Sequence, residues 1–271
     1  MEVTRKPVEV IAVDWSGAAT GSATHIWLAR VVDGELVALR NGRGRAEVVD
    51  ELIALRANTP GGLVVGLDFS FSFPAWFVRE QSCGTVGELW ETVEHKGEGW
   101  LAECASPFWG RPGRRRPELP ARQAHLRRAE ASIAVGGISP KSTFQIGGAG
   151  AVGTGSVRGM RHLRRLQAAG FSIWPFDEAA PFVVLEIYPR LLTGPVRKSN
   201  RERRAQYLAE APWSVAPAFA AAIIESEDAF DAAISALVMG EHRAELGALA
   251  PSADPVTLLE GDVWRPRKIR P

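Results

Sequence analysis

Along the first seventy residues the apolar positions gather into short runs separated by turn residues. Residues 8–14, VEVIAVD, form an apolar run that ends in an aspartate, the length and composition of a strand. Residues 25–32 and 35–40 predict two more strands, joined by Asp33-Gly34, a two-residue hairpin signal. Val48, Leu52 and Leu55 recur at helical spacing and predict a helix over about 45–57. Gly62-Leu-Val-Val-Gly-Leu-Asp68 is a continuous apolar run of the kind buried on both faces of a sheet, and it too ends in aspartate.

From Phe73 to about Ser156 this periodicity fades into Trp, Gly, Pro and Arg, with helices expected near 75–80, 86–94 and 122–134. Such a stretch reads as an insertion or long functional loops at about 74–156 within one domain spanning 1–271. Regular structure then resumes: a helix at 160–169, strands at 171–176 and 182–187, and helices at 201–210 and 226–240. The tail from about 262, in VWRPRKIRP, is basic and reads as peripheral. Alternation of strands and helices places the chain in the α/β class.

Composition narrows this picture. With 271 residues, 46% of them hydrophobic, the chain can bury a proper core. No apolar run approaches the ~20 residues that span a bilayer, so no membrane partner is expected and a cytoplasmic setting is the natural reading. Cys83 and Cys104 fit no zinc or redox spacing and read as buried, idle thiols. The net charge of +1 conceals an uneven distribution: segments 111–128, 158–165 and 197–204 hold half of the 32 Lys and Arg. Separation of this kind suggests a basic surface for a polyanion beside an acidic site.

That acidic site is legible at the strand ends. Asp14 and Asp68 each close an apolar strand, where open α/β sheets place their ligand crevices. On parallel neighbouring strands they would lie ~4.8 Å apart, and repulsion at that distance calls for a cation or a shared proton. Glu186 repeats the pattern in VVLEIYP. In EDAFDAAISALVMG, Asp228 and Asp231 share a helix face while Phe230, Ile234, Leu237 and Val238 form the apolar side, with Ala232 and Ala236 permitting close packing. Asp228 also suits a first helical turn after the N-cap candidate Ser226; Asp231 lies deeper. Oxygen ligands without a His/Cys cluster favour Mg²⁺ or Mn²⁺ over zinc, and such ions serve phosphodiester cleavage. Ser16, Ser70, Lys141, Arg158, Tyr188 and Arg190 are the candidate substrate contacts.

The segments AVDWSG, GLDFSFSFP, PKSTFQIGGAGAVGTGSVRGM, LEIYPR and DAFDAAISAL together resemble the successive motifs of domain-of-unknown-function family 429, whose members are predicted RNase H-like nucleases. The resemblance covers residues 10 to about 240. It implies an RNase H-like mixed five-stranded sheet flanked by helices, with Asp14, Asp68 and Asp231 as metal ligands and Asp228 beside them in a D-x-x-D pattern. Glu186 is additional to that pattern, either as a further ligand or as a support for Tyr188 and Arg190. Metal-dependent hydrolysis of DNA or RNA is the activity it implies.

Other chemistries compete. Gly148, Gly150 and Gly153 satisfy G-x-G-x-x-G, and Asp177 stands roughly where a ribose-binding acid is wanted. Thr154, Gly155, Ser156 and Gly159, however, continue a flexible stretch where a nucleotide-binding helix should already run, so a glycine loop over 147–159 that closes over the carboxylates or contacts phosphate through backbone N–H groups is preferred. Asp14-Trp-Ser-Gly before a hairpin strand also resembles the phosphate loop of actin-like and sugar-kinase ATPases. A non-catalytic nucleic-acid binder using the nine Trp and the Arg-rich insertion is the third alternative. His25, placed within a strand, and His95, His125, His162 and His242, in polar contexts, read as surface residues rather than catalytic bases.

Overall fold

The computed structural model describes residues 8–133 and 140–267. The chain runs β1 (Val8–Asp14), α1 (Ser22–His25), β2 (Trp27–Val32), β3 (Glu35–Arg40), α2 (Arg45–Asn58), β4 (Gly62–Leu67), α3 (Ala75–Glu80), α4 (Val86–Glu103) and α5 (Arg128–Ala131). It continues through α6 (Gly153–Met160), α7 (Leu163–Ala168), β5 (Ser172–Ile173), β6 (Phe182–Glu186), α8 (Pro189–Thr193), α9 (Arg201–Glu210), α10 (Pro217–Glu225), α11 (Glu227–Glu241), α12 (Arg243–Leu246) and α13 (Thr257–Glu260).

The six strands form one mixed sheet in the order β3-β2-β1-β4-β6-β5. The hairpin strands β2 and β3 are antiparallel to their neighbours, whereas β1 with β4, β4 with β6, and β5 with β6 pair in parallel. All six strands read from the pattern therefore form, one more than the five the family resemblance implies, although the 171–176 segment keeps only Ser172 and Ile173, on the edge of β6. Pro175 stops it there, since proline cannot donate to a ladder.

Period-2 alternation gives the sheet two buried faces. Ile11, Val13, Leu63, Val65 and Leu67 face α2, α4, α6 and α7 together with the aromatic residues Phe69, Phe71 and Phe73. Val10, Ala12, Val64, Val183 and Leu185 face α11. Residues 229–240 of α11 are buried all round, and the helix approaches so closely that a Cβ on Gly66 would stand 2.8 Å from Met239 Sδ. Phe73, Phe77, Trp90, Phe108 and Phe144, all from the irregular segment, belong to the same apolar cluster as β1 and β4.

Several sequence expectations need revision. The helix expected at 86–94 continues to Glu103, because Leu89, Trp90, Val93 and Leu101 keep one buried stripe and Gly97 lets Val157 of α6 pack against it. Of the helix expected at 122–134 only Arg128–Ala131 forms, and residue 134 lies outside the described residues. The 160–169 helix is two helices, the first beginning at Gly153; the supposedly flexible glycines are helical because tertiary packing outweighs their low propensity. His25 closes α1 rather than lying in a strand. The tail is not peripheral at its start: Trp264 is buried and its N–H donates to the Glu186 carbonyl at 2.9 Å. Its last four residues lie outside the described ones. Cys83 and Cys104 are free and buried.

One ionic network fastens the irregular segment to the sheet. Arg127 has no exposed surface, and its guanidinium donates to both carboxylate oxygens of Glu186, at 2.9 Å for Nη1 to Oε2, to Glu130 Oε1 at 2.7 Å through Nε, and to the Glu260 carbonyl. Glu186 Oε2 also accepts from Phe71 N–H at 2.8 Å, and Glu260 accepts from Ala75 and Arg128 N–H. Removing the cation would leave buried carboxylates facing one another. Arg127→Met is expected to lower the unfolding free energy by about 3–5 kcal/mol, read from urea midpoints, with Arg127→Lys recovering part of it; a loss below ~1 kcal/mol would mean the network is not the fastening.

Candidate active site

Parallel pairing of β1 with β4 sets Val13 opposite Leu67, and Asp68 N–H donates to the Val13 carbonyl at 3.1 Å. The next residue on each strand is an aspartate, so Asp14 and Asp68 stand side by side with their carboxyls in hydrogen-bond contact. From the opposite side α11 delivers Asp231, which is 2% exposed. Ser226 caps that helix, its hydroxyl accepting from Ala229 N–H at 3.1 Å. Asp228, one turn before Asp231, is an acid of the first turn, and its charge helps raise Asp14.

A cation already answers this cluster. The Lys198 ammonium, on the loop between α8 and α9, bonds Asp231 Oδ2, while Asp231 Oδ1 is buried with no partner among the described residues. Arg190 donates to the Val196 carbonyl and Arg204 to that of Lys198, so these two arginines hold the loop that presents the lysine. Arg190, expected among the substrate contacts, is thus committed to the loop. Burial works against the Lys198 charge, but Asp231, Asp14 and Asp68 outweigh it and raise its pKa.

The carboxyls are driven the other way. Burial, then Asp68, Asp231 and Asp228, raise Asp14 well above the ordinary carboxylate range. Burial and Asp231 push Asp68 up to about 8, against the pull of Lys198. Asp231 is raised by burial despite its lysine. Glu186, pushed up to about 7 by burial against the pull of Arg127, has both oxygens taken by Arg127 and Phe71 N–H, and neither bonds Tyr188 or Arg190, which it was expected to support if it was not a ligand. Tyr188 follows β6 at the N-cap of α8, and its phenol is raised by burial and by the Asp68 charge.

Two arginines clamp the turn after Asp14. Arg45 donates to the Ser16 carbonyl at 2.9 Å and to that of Ala18, and Arg158 reaches the Gly17 carbonyl while pairing with Glu98 at 2.8 Å. Gly17 has no room for a side chain: a Cβ there would lie 2.4 Å from Gly155 N. Ser16 Oγ accepts from Ala18 N–H at 3.2 Å. Ser16 and Arg158, both expected to meet substrate, therefore build the turn, whereas Ser70 and Lys141 face an adjoining cavity of about 420 Å³.

Sequence reasoning missed Arg45, Arg127 and the specific role of Lys198; the last two look like members of basic runs, whereas Arg45 opens α2 outside them. His25 Nδ1 lies 3.3 Å from Asp228 Oδ2 and so belongs to the rim of the cluster; a histidine in a turn-rich segment gives no periodic signal. Part of the basic segments is used internally, since Arg127 and Arg204 are buried and Arg201 and Arg165 are ion-paired. The dinucleotide fingerprint does not assemble: the glycines follow an isolated bridge rather than a strand, and Asp177 accepts from Gln167 and Ile173 N–H. Among the described residues no group of three or more His, Cys, Asp or Glu is arranged to hold a metal ion. No helix among them is long and apolar enough to cross a membrane. Comparison of the chain with protein-family models, curated proteins and solved structures finds no match.

Between the unfolded value near 4 and the folded value of about 8, Asp68 keeps a proton that the unfolded chain releases, so stability falls as pH rises through that window. His162, lowered to about 4 by burial and by Arg161, Arg45 and Arg165, acts oppositely only below its ordinary value of 6.5. In EDTA, the melting temperature of the wild type is therefore expected to drop between pH 6.5 and 8, and Asp68→Asn to flatten the drop and melt higher at pH 8. Parallel curves for the two proteins would remove the repulsion from the site.

Proposed function

We propose that the chain is a divalent-metal-dependent nuclease of RNase H-like fold that hydrolyses phosphodiester bonds of DNA or RNA at Asp14, Asp68 and Asp231. The observation that carries this reading is the juxtaposition of two strand-end carboxyls on adjacent parallel strands with a third, half-orphaned carboxyl on the facing helix. The hairpin of β1, β2 and β3 followed by parallel β4 and β6 is also the strand arrangement that the family resemblance implies, with β5 added at the edge.

The donor set fits Mg²⁺ or Mn²⁺. It consists of oxygens, and Mg²⁺ is commonly held by one or two carboxylates together with waters and substrate phosphates. Asp14 and Asp68 can hold the ion in that manner without a three-ligand cage, and Asp231 Oδ1 offers a further oxygen. When bound, the ion supplies Lewis acidity and a water of lowered pKa for attack on phosphorus. Lys198 offsets the charge of Asp231 and acts on Asp14 and Asp68 as well. Arg45 and Arg158 hold the 16–18 turn rigid beside Asp14. Glu186 and Arg127 keep the segment after Asp68 in place through Phe71.

Thermal unfolding of the wild type, Asp14→Asn and Asp231→Asn in EDTA and in Mn²⁺ tests the ion site. Asp14→Asn is expected to stabilise the metal-free protein by removing a like charge, Asp231→Asn to stabilise it less because it also breaks the Lys198 pair, and the wild type alone to gain about 5 °C or more from metal at a hundredfold excess over Kd. In a panel of single-stranded, duplex and branched nucleic acids, Asp14→Asn should lower cleavage about a hundredfold or more. Equal metal shifts in all three proteins would overturn the reading, and stabilisation by ATP rather than by metal alone would point to phosphoryl transfer instead.

A further inference from the structure

We propose that the cavity beside Asp68 is a phosphomonoester site, taking either the terminal phosphate of a nucleic-acid strand or that of a free mononucleotide. The naming of a nucleotide as the carrier rests on the nuclease reading; the phosphate site stands on its own geometry.

Four kinds of donor converge on this space of about 420 Å³. The first turn of α6 contributes backbone. Gly153 N–H is spent on the Gln145 carbonyl and Ser156 N–H on that of Val152, whereas Thr154 and Gly155, which line the cavity, have N–H groups with no acceptor among the described residues. Free N–H groups at a helix N-terminus form a ready anion cradle.

Side chains complete it. Ser70 is only 7% exposed and lines the cavity; its N–H is fixed by donation to Ser156 Oγ at 3.0 Å, and its hydroxyl makes no hydrogen bond to a described residue. The Trp15 indole N–H, from another wall, is likewise buried without a partner. Lys141 lays its stem along the glycine loop, its Cε standing 3.2 Å from where a Gly150 Cβ would sit, and its ammonium has no acidic partner among the described residues. Glu130 and Glu186 also border the cavity, but Arg127 holds both. Buried donors without acceptors are costly, and a dianionic phosphoryl group with three terminal oxygens satisfies several at once.

The choice of monoester over internal diester follows from shape and donor number. Trp15, Phe69 and Ile187 wall the space, which has the volume of a small-ligand pocket rather than a track for a continuous strand. A chain end seated there would place its first internucleotide linkage toward Asp68 and Asp14, making cleavage end-directed.

Calorimetric titration in EDTA, and again in Mn²⁺, with inorganic phosphate, a 5′-mononucleotide, and an oligonucleotide with and without a 5′-phosphate tests the assignment. Phosphate is expected to bind the metal-free protein, and Ser70→Ala and the exposed Lys141→Met to weaken it about tenfold or more each. Asp14→Asn should retain phosphate binding, so a failure of the ion site leaves this result intact. Preference for the phosphorylated oligonucleotide would identify a strand end as the source; binding of the mononucleotide with refusal of both oligonucleotides would identify the free nucleotide. No phosphate binding in either buffer, or equal binding by Ser70→Ala, Lys141→Met and wild type, or no gain from the 5′-phosphate and none from the mononucleotide, would overturn the proposal.

Discussion

The whole arrangement hangs on a buried guanidinium. Arg127 pays its desolvation by meeting Glu186 at the end of β6, Glu130 one turn along its own chain and the carbonyl of Glu260 near the C-terminus. Each partner belongs to a different stretch of sequence, so one cation decides where the irregular segment, the sheet and the final residues stand relative to one another. The geometry leaves Glu186 no free oxygen and passes its influence on through Phe71 N–H to the strand exit that carries Asp68. A buried pair of this kind adds little net stability against an apolar alternative, and its value lies in fixing a unique position.

With that position fixed, the sheet register concentrates charge. Asp14 and Asp68 are neighbours because Val13 pairs with Leu67, and neither can turn away, since the 16–18 turn is clamped by Arg45 and Arg158 and the Asp68 N–H is held by Val13. Asp231 arrives on a helix packed too tightly to shift. Carboxyls confined in this way either keep protons or attract a cation, and Lys198 supplies one such charge through a loop tied down by Arg190 and Arg204.

The parts that were legible in sequence were those with a period or a punctuation mark. The Asp33-Gly34 hairpin, α2, β4 and the two strand-end aspartates follow from alternation and from turn chemistry, and α11 follows from its apolar spacing. Asp231 could be picked out because it lies too deep for a capping role. Arg127 and Lys198 were illegible because burial is a property of the fold: inside basic runs they look like their solvated neighbours. α6 was misread for a related reason. Its glycines lower helix propensity, yet two of them are there to admit close neighbours, Gly153 against the Thr143 carbonyl and Gly159 against the Phe69 ring.

Another close approach links the two halves of the edge. Because Gly17 and Gly155 touch backbone to backbone, the turn that follows Asp14 and the first turn of α6 cannot move independently. On one side of Asp68 lie carboxyl oxygens in excess; on the other lie N–H and hydroxyl donors without acceptors among the described residues. An ion alone would answer the first side and an anion alone the second. On the reading proposed above, a nucleic-acid strand end would answer both, its terminal phosphate accepting from the helix terminus and Ser70 and its first internucleotide linkage meeting the ion. The unsatisfied groups on the two sides are thus complementary halves of a single ligand's requirements, which is the physical reason for reading the strand ends and the glycine loop as one site.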